Sequence, residues 1–142
     1  DNINIKVLDI GSGAGFPGII VSLSGIKKVT LVESDQRKVV FLNQVKKISP
    51  NEIIIINDRV ENLKDIDCDI LTSRAFSSLD KLFSVCCNFN IKNKMLLHKG
   101  SSFADELDQA KKHWLFDLKI HDSITPGMGK ILEIYNLRKI DT

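Results

Sequence analysis

Residues Val7 to Ile19 read VLDIGSGAGFPGI, and this stretch decides the fold. The apolar run Lys6 to Ile10 has the character of a short strand, and glycines close it. Gly11, Gly13, Gly15 and Gly18 place four glycines in eight positions. Such a loop turns sharply and lets a ligand approach the backbone without Cβ clashes. Pro17 suits the first turn of a helix, where its missing N–H costs nothing, so a helix over Pro17 to Leu23 is expected. A strand, a glycine turn and a helix in succession open a parallel α/β sheet. Ligands of such sheets bind beyond the carboxyl ends of the strands.

Downstream, apolar runs continue to alternate with helical patterns. Strands are expected at Val29 to Val32, Ile53 to Ile56, Asp69 to Thr72 and Met95 to His98. Ile53 to Ile56 is continuously β-branched, which predicts burial on both faces. Asp35 can cap a helix with Phe41, Leu42, Val45 and Ile48 on its inner face, and Pro50 ends it. Leu79, Leu82, Phe83, Cys86 and Phe89 mark a helix after Ser77 or Ser78. Ser102 starts another, with Phe103, Leu107 and Ala110 inward. Leu115 to Ile120 and Ile131 to Leu137 then read as a hairpin about a Pro126-Gly127 turn. The sum is a mostly parallel seven-stranded α/β sheet with helices on both faces and an antiparallel C-terminal edge hairpin.

At 142 residues the chain is long enough for one domain. Hydrophobic residues are 43% and charged residues 27%, which excludes disorder and fibrous classes. The net charge of +2 names no polyanion partner by itself. The second half carries 11 basic against 8 acidic groups, the first half 9 against 10, a slight lean toward a nucleic-acid face. Cys68, Cys86 and Cys87 form no C-x-x-C pair and read as reduced core or near-core thiols, hence a cytoplasmic setting. No run reaches the ~18 apolar residues of a membrane span, and no secretory signal is visible. His98, His113 and His121 share no ligand spacing, so no metal is expected.

The glycine loop admits two registers. Gly13-x-Gly15-x-x-Gly18 matches the dinucleotide fingerprint, but it starts two residues late. Pro17 also sits where a helix should present N–H groups to a pyrophosphate. Gly11-x-Gly13-x-Gly15 lies directly at the strand end behind Asp9, and it resembles the cofactor loop of S-adenosylmethionine-dependent methyltransferases. A phosphate-binding GK[ST] is absent. Glu33, 22 residues after Gly11, can accept hydrogen bonds from both ribose hydroxyls in either cofactor class. Arg59-Val60-Glu61 is placed to line an adenine pocket, with Asp58 or Glu61 as acceptor of the adenine amine. Arg74 offers a planar fork of donors to a carboxylate or phosphate. After the fourth strand there is neither an Asn-Pro-Pro-Tyr type motif nor a Pro-Cys nucleophile.

VLDIGSGAGFPGI, LVES (Leu31 to Ser34), RVE (Arg59 to Glu61), SRAF (Ser73 to Phe76) and HKG (His98 to Gly100) occur in order along essentially the whole chain. Together they resemble RsmG (GidB), the bacterial family of 16S rRNA guanine-N7 methyltransferases. The resemblance implies a Rossmann-like class I S-adenosylmethionine-dependent methyltransferase domain over residues 1–142. It implies S-adenosylmethionine contacts from Gly11, Phe16, Val60, Glu61 and Arg74, beside the loop glycines Gly13 and Gly15 and the ribose acceptor Glu33. On the substrate side it implies Arg74 and Lys99, with Lys99 as the rRNA phosphate contact. Family members carry several tens of helical residues ahead of the glycine loop, and almost none precede Asp9 here. The expectation is therefore a reduced member or a fragment without that extension. The partner implied is 16S rRNA or the small ribosomal subunit, and a monomer is expected. Two other readings stay open: a nicotinamide-dependent oxidoreductase, and a catalytically inactive RNA-binding remnant.

Overall fold

The computed structural model describes residues 5–11, 28–49, 52–74, 78–122 and 129–141. Seven strands form one sheet: β1 (Lys6–Ile10), β2 (Lys28–Val32), β3 (Glu52–Ile56), β4 (Asp67–Arg74), β5 (Asn90–Lys99), β6 (Trp114–Asp122) and β7 (Lys130–Lys139). The described helices are α1 (Gln36–Ile48), α2 (Leu79–Cys86) and α3 (Phe103–Ala110), with a 3-10 turn at Val60–Asn62. Strand order is β3-β2-β1-β4-β5-β7-β6. Neighbours from β3 to β5 are parallel, and β7 runs antiparallel to both β5 and β6. This is the Rossmann-like sheet with an antiparallel edge hairpin that the alternation predicts.

Two apolar layers sandwich the sheet. Leu8, Ile10, Leu71, Met95, Leu97 and Leu132 face a large core completed by α2 and α3. Val7, Val29, Leu31 and Ile53 face a smaller core that buries Leu42 of α1. Phe83 of α2 has no exposed surface and meets Trp114 edge-on, ring centroids 6.0 Å apart, and Phe116 at 5.3 Å. Burying one such ring is worth roughly 1.5–3 kcal/mol. Trp114 keeps its polar end satisfied, Nε1 donating to Asp80 Oδ1 at 2.8 Å.

The caps expected from sequence are present where they can be described. Asp35 accepts from the Arg37 amide at the start of α1, and Ser78 accepts from the Lys81 amide at the start of α2. Ser49, which precedes Pro50, is extended and closes α1. The helix expected over Pro17 to Leu23 and the Pro126-Gly127 turn lie outside the described residues.

Some expectations change. β3 is not buried on both faces: it ends the sheet, and Ile54 is 44% exposed. The inner stripe of α1 is Val39, Leu42 and Val45, while Phe41 and Ile48 are exposed. At about 100° per residue, Phe41 and Ile48 share a line one step round from Leu42. β4 and β5 extend past their apolar centres, because polar residues such as Asp67, Asn90 and Lys99 still pair backbone to backbone. The three thiols are free, but Cys87, just past α2, is exposed, whereas Cys68 and Cys86 are buried.

Candidate functional site

The carboxyl ends of the parallel strands share one rim, and strand register sets its level. Ile10 pairs with Val32 on one side and Ser73 on the other. Gly11, Glu33 and Arg74 therefore stand one residue beyond a common row. Arg74 is in turn paired with His98 of β5.

Gly11 is the first residue past β1. Its φ is +66°, a left-handed conformation that glycine takes without a Cβ penalty. Its amide donates to the Val32 carbonyl at 2.9 Å, which holds the turn against β2. Gly13, Gly15 and Phe16 lie outside the described residues.

Glu33 follows β2 and is buried. Its amide donates to Ile56 O at 3.0 Å, and its Oε2 accepts from the Asp35 amide at 2.8 Å. Asn57 Nδ2 donates to Glu33 O at 2.9 Å, which ties the end of β3 to the end of β2. The backbone around Glu33 is thus fixed by both neighbouring segments. Asn57 carries no motif, and only its place directly after an apolar strand could have drawn attention to it.

The turn after β3 supplies Val60, which is buried, and Glu61, which is exposed. Among the described residues, Gly11, Val32, Asp58, Val60 and Glu61 line one open depression of about 130 Å³. Asp58 Oδ1 accepts from Asn62 Nδ2 at 2.8 Å and from the Arg59 amide at 2.7 Å. These bonds hold its carboxyl below the usual range. Asp58 therefore shapes the turn. Of the two acids considered for the adenine amine, Glu61 is the one for which no side-chain bond of this kind is described.

Between β1 and β4 the sheet contains a polar pair. Thr72 Oγ1 donates to Asp9 Oδ1 at 2.6 Å, and both residues are buried. Ser73 Oγ donates to Ile10 O at 3.3 Å. The exposed Arg74 follows on the rim, with its fork unshielded.

Lys99 is placed differently from an open phosphate contact. Only 7% of its side chain is exposed, and Nζ lies 3.0 Å from Glu106 Oε1. It points to the core side of the sheet, toward α3. Nothing in the HKG motif signals this, because its partner sits seven residues downstream in a helix whose other acids are exposed.

Comparisons with known proteins agree with this architecture. The family model described as rRNA small subunit methyltransferase G (GidB) matches residues 1–135. The Ribosomal RNA small subunit methyltransferase G of Rickettsia prowazekii (strain Madrid E) is 54% identical over 139 residues, covering 98% of this chain and 72% of that protein. Its counterpart in Rickettsia felis is 53% identical over 140 residues, covering 99% and 72%. A solved TehB-like SAM-dependent methyltransferase from Corynebacterium glutamicum superposes with a TM-score of 0.67 at 16% identity, over 96% of this chain and 82% of that one. At that identity the likeness is one of fold. With nearly its full length matched at about half identity, the chain belongs to the rRNA small subunit methyltransferase G family.

Proposed function

We propose that this chain transfers a methyl group from S-adenosylmethionine to N7 of a guanine in 16S rRNA, acting as a single cytoplasmic domain and a monomer. The observation that carries the reading is the convergence of Gly11, Glu33, Val60, Glu61 and Arg74 on one rim of a sheet, in a chain of this family.

The rim suits the cofactor. A left-handed Gly11 leaves room beside the backbone, the depression it shares with Val60 and Glu61 is open, and a buried carboxylate stands at the end of β2. Glu33 would accept from the ribose, Val60 and Glu61 would border the adenine, and Gly13, Gly15 and Phe16 would complete the loop. When bound, S-adenosylmethionine supplies a methyl group already activated on a sulfonium. Guanine N7 carries a lone pair and no proton, so no side chain has to act as a base. That fits a rim with no strong base among its described residues. The chain's task is then positioning, which for well-held reactants is worth roughly 7–11 kcal/mol. Carboxylates near the site would offset the positive charge that develops on the purine. Arg74 would hold a phosphate of the RNA. The guanine must be unstacked or lie in a loop, because the major groove of duplex RNA is too narrow to read.

The test is methyl transfer from isotopically labelled S-adenosylmethionine to 16S rRNA and to small subunits lacking the modification, with the product mapped by mass spectrometry. Label recovered as N7-methylguanosine is expected. Binding of NAD without S-adenosylmethionine binding would overturn the cofactor assignment. RNA binding without transfer would identify an inactive remnant.

A further inference from the structure

We infer that Glu106 is a positioning residue for the reaction: its carboxylate clamps the start of α2 to the end of β5 and so fixes the far end of the segment that begins with Arg74. This rests on the functional reading above. Glu106 Oε1 accepts from two donors on separate elements, Lys99 Nζ at 3.0 Å and the Leu79 amide at 3.1 Å. Its other oxygen, Oε2, accepts from Ser102 Oγ at 3.3 Å. One side chain of α3 thus joins the last residue of β5, the residue that caps its own helix, and the first residue of α2.

The Leu79 amide is among the first four N–H groups of a helix, which have no partner inside it. Ser78 takes only the Lys81 amide, so the Leu79 amide would be left over without Glu106. Leu79 itself is fully buried. Lys99, the other donor, is anchored along its backbone. Gly129 passes so close that a Cβ added there would lie 2.1 Å from the Lys99 carbonyl oxygen. The clamp is therefore rigid at its β5 end.

The consequence falls on residues 74 to 78. Arg74 is locked in register against His98 at the end of β4. Leu79 is held by Glu106 at the start of α2. The connection between these fixed points is only four residues long, and the SRAF motif lies in it. A short span with both ends pinned has few conformations, which is how a fold holds a substrate-facing group with precision. The pair Lys99–Glu106 thus acts on the reaction through Arg74, without touching RNA or cofactor.

The test compares Glu106→Ala, Glu106→Gln and Lys99→Met/Glu106→Gln with the wild type, and uses the exposed acid Asp108→Ala on the same helix as control. Glu106→Ala is expected to lower kcat about tenfold or more at saturating S-adenosylmethionine. Its dissociation constant for the cofactor is expected to stay within about threefold. Glu106→Gln keeps an acceptor for the Leu79 amide but leaves Lys99 without a negative partner. The double variant removes that unpaired charge and should recover most of the lost kcat, even if Glu106→Ala folds poorly. Asp108→Ala should match the wild type. A Glu106→Ala enzyme with lowered thermal stability but wild-type kcat would show a purely structural contact and overturn the inference. So would a double variant no more active than Glu106→Ala. A wild-type chain that transfers no methyl group to RNA overturns the functional reading itself, and the clamp with it.

Discussion

Thr72 Oγ1 and Asp9 Oδ1 lie 2.6 Å apart inside the sheet, a hydrogen bond between side chains 63 residues apart in sequence. The bond joins β1 to β4 one residue short of the rim, where the backbone of both strands turns toward the proposed site. Replacing Thr72 with the isosteric valine leaves a buried carboxylate oxygen without that donor. We expect a loss of about 1–3 kcal/mol, read as a lower denaturant midpoint at unchanged slope. Thr72→Ser, which retains the hydroxyl, should lose less; equal losses would assign the effect to packing.

Glu33→Gln separates charge from shape at the end of β2. The amide oxygen can still accept from the Asp35 N–H, so thermal stability should change little. Two ribose hydroxyls would lose their charged acceptor. S-adenosylmethionine binding should weaken by about tenfold, or about 1.4 kcal/mol, measured by titration calorimetry. Unchanged affinity would remove Glu33 from the cofactor site.

Glu133 of β7 predicts an acid-sensitive stability. Hydrogen bonds from Tyr135, His121 (Nε2 at 2.8 Å) and Lys94 (Nζ at 2.9 Å) hold its carboxyl down, from an ordinary 4.5 to about 2. The same cluster raises the Lys94 ammonium through its bond to Glu133. A carboxylate with a lowered folded-state pKa stabilises the fold above its unfolded value and loses that contribution as pH falls. Stability should therefore drop between about pH 4.5 and pH 2. Glu133→Gln should show a shallower slope over that window in denaturation at stepped pH. Parallel curves for the two proteins would rule the cluster out as a source.

The cysteines should sort by depth. Burial pushes the Cys68 thiol up to about 12 and raises Cys86 as well, whereas Cys87 is exposed. An aromatic disulfide reagent should modify Cys87 rapidly in the native state and reach the other two only on unfolding. Rapid modification at Cys68 or Cys86, identified by peptide mass, would contradict the buried placement.

Much of the fold was legible because its signals are local. The glycine turn after Ile10, the caps Asp35 and Ser78, and the spacing of Leu79, Leu82 and Phe83 are all set by neighbours in sequence. Burial across elements was less legible. A run of isoleucines cannot say which strand will lie at the sheet edge, so the exposure of Ile54 was hidden. An adjacent pair such as Phe41-Leu42 does not say which member faces inward. At the site, Glu33 and Arg74 could be placed by their position after apolar strands. The ion pair that draws Lys99 toward the core depends on how α3 packs, which no motif records.

β1 lies between β2 and β4 in the sheet, yet β4 begins 57 residues after the end of β1. A parallel strand in the middle of a sheet cannot complete its pairing until the distant segment exists and has come back to it. During synthesis, the glycine loop would emerge early, attached to a strand with one side unpaired. Cofactor competence would then arrive as a step, once the ribosome had released Arg74, and not by gradual accumulation. In this fold the most ligand-directed segment is made first and has to wait for its floor.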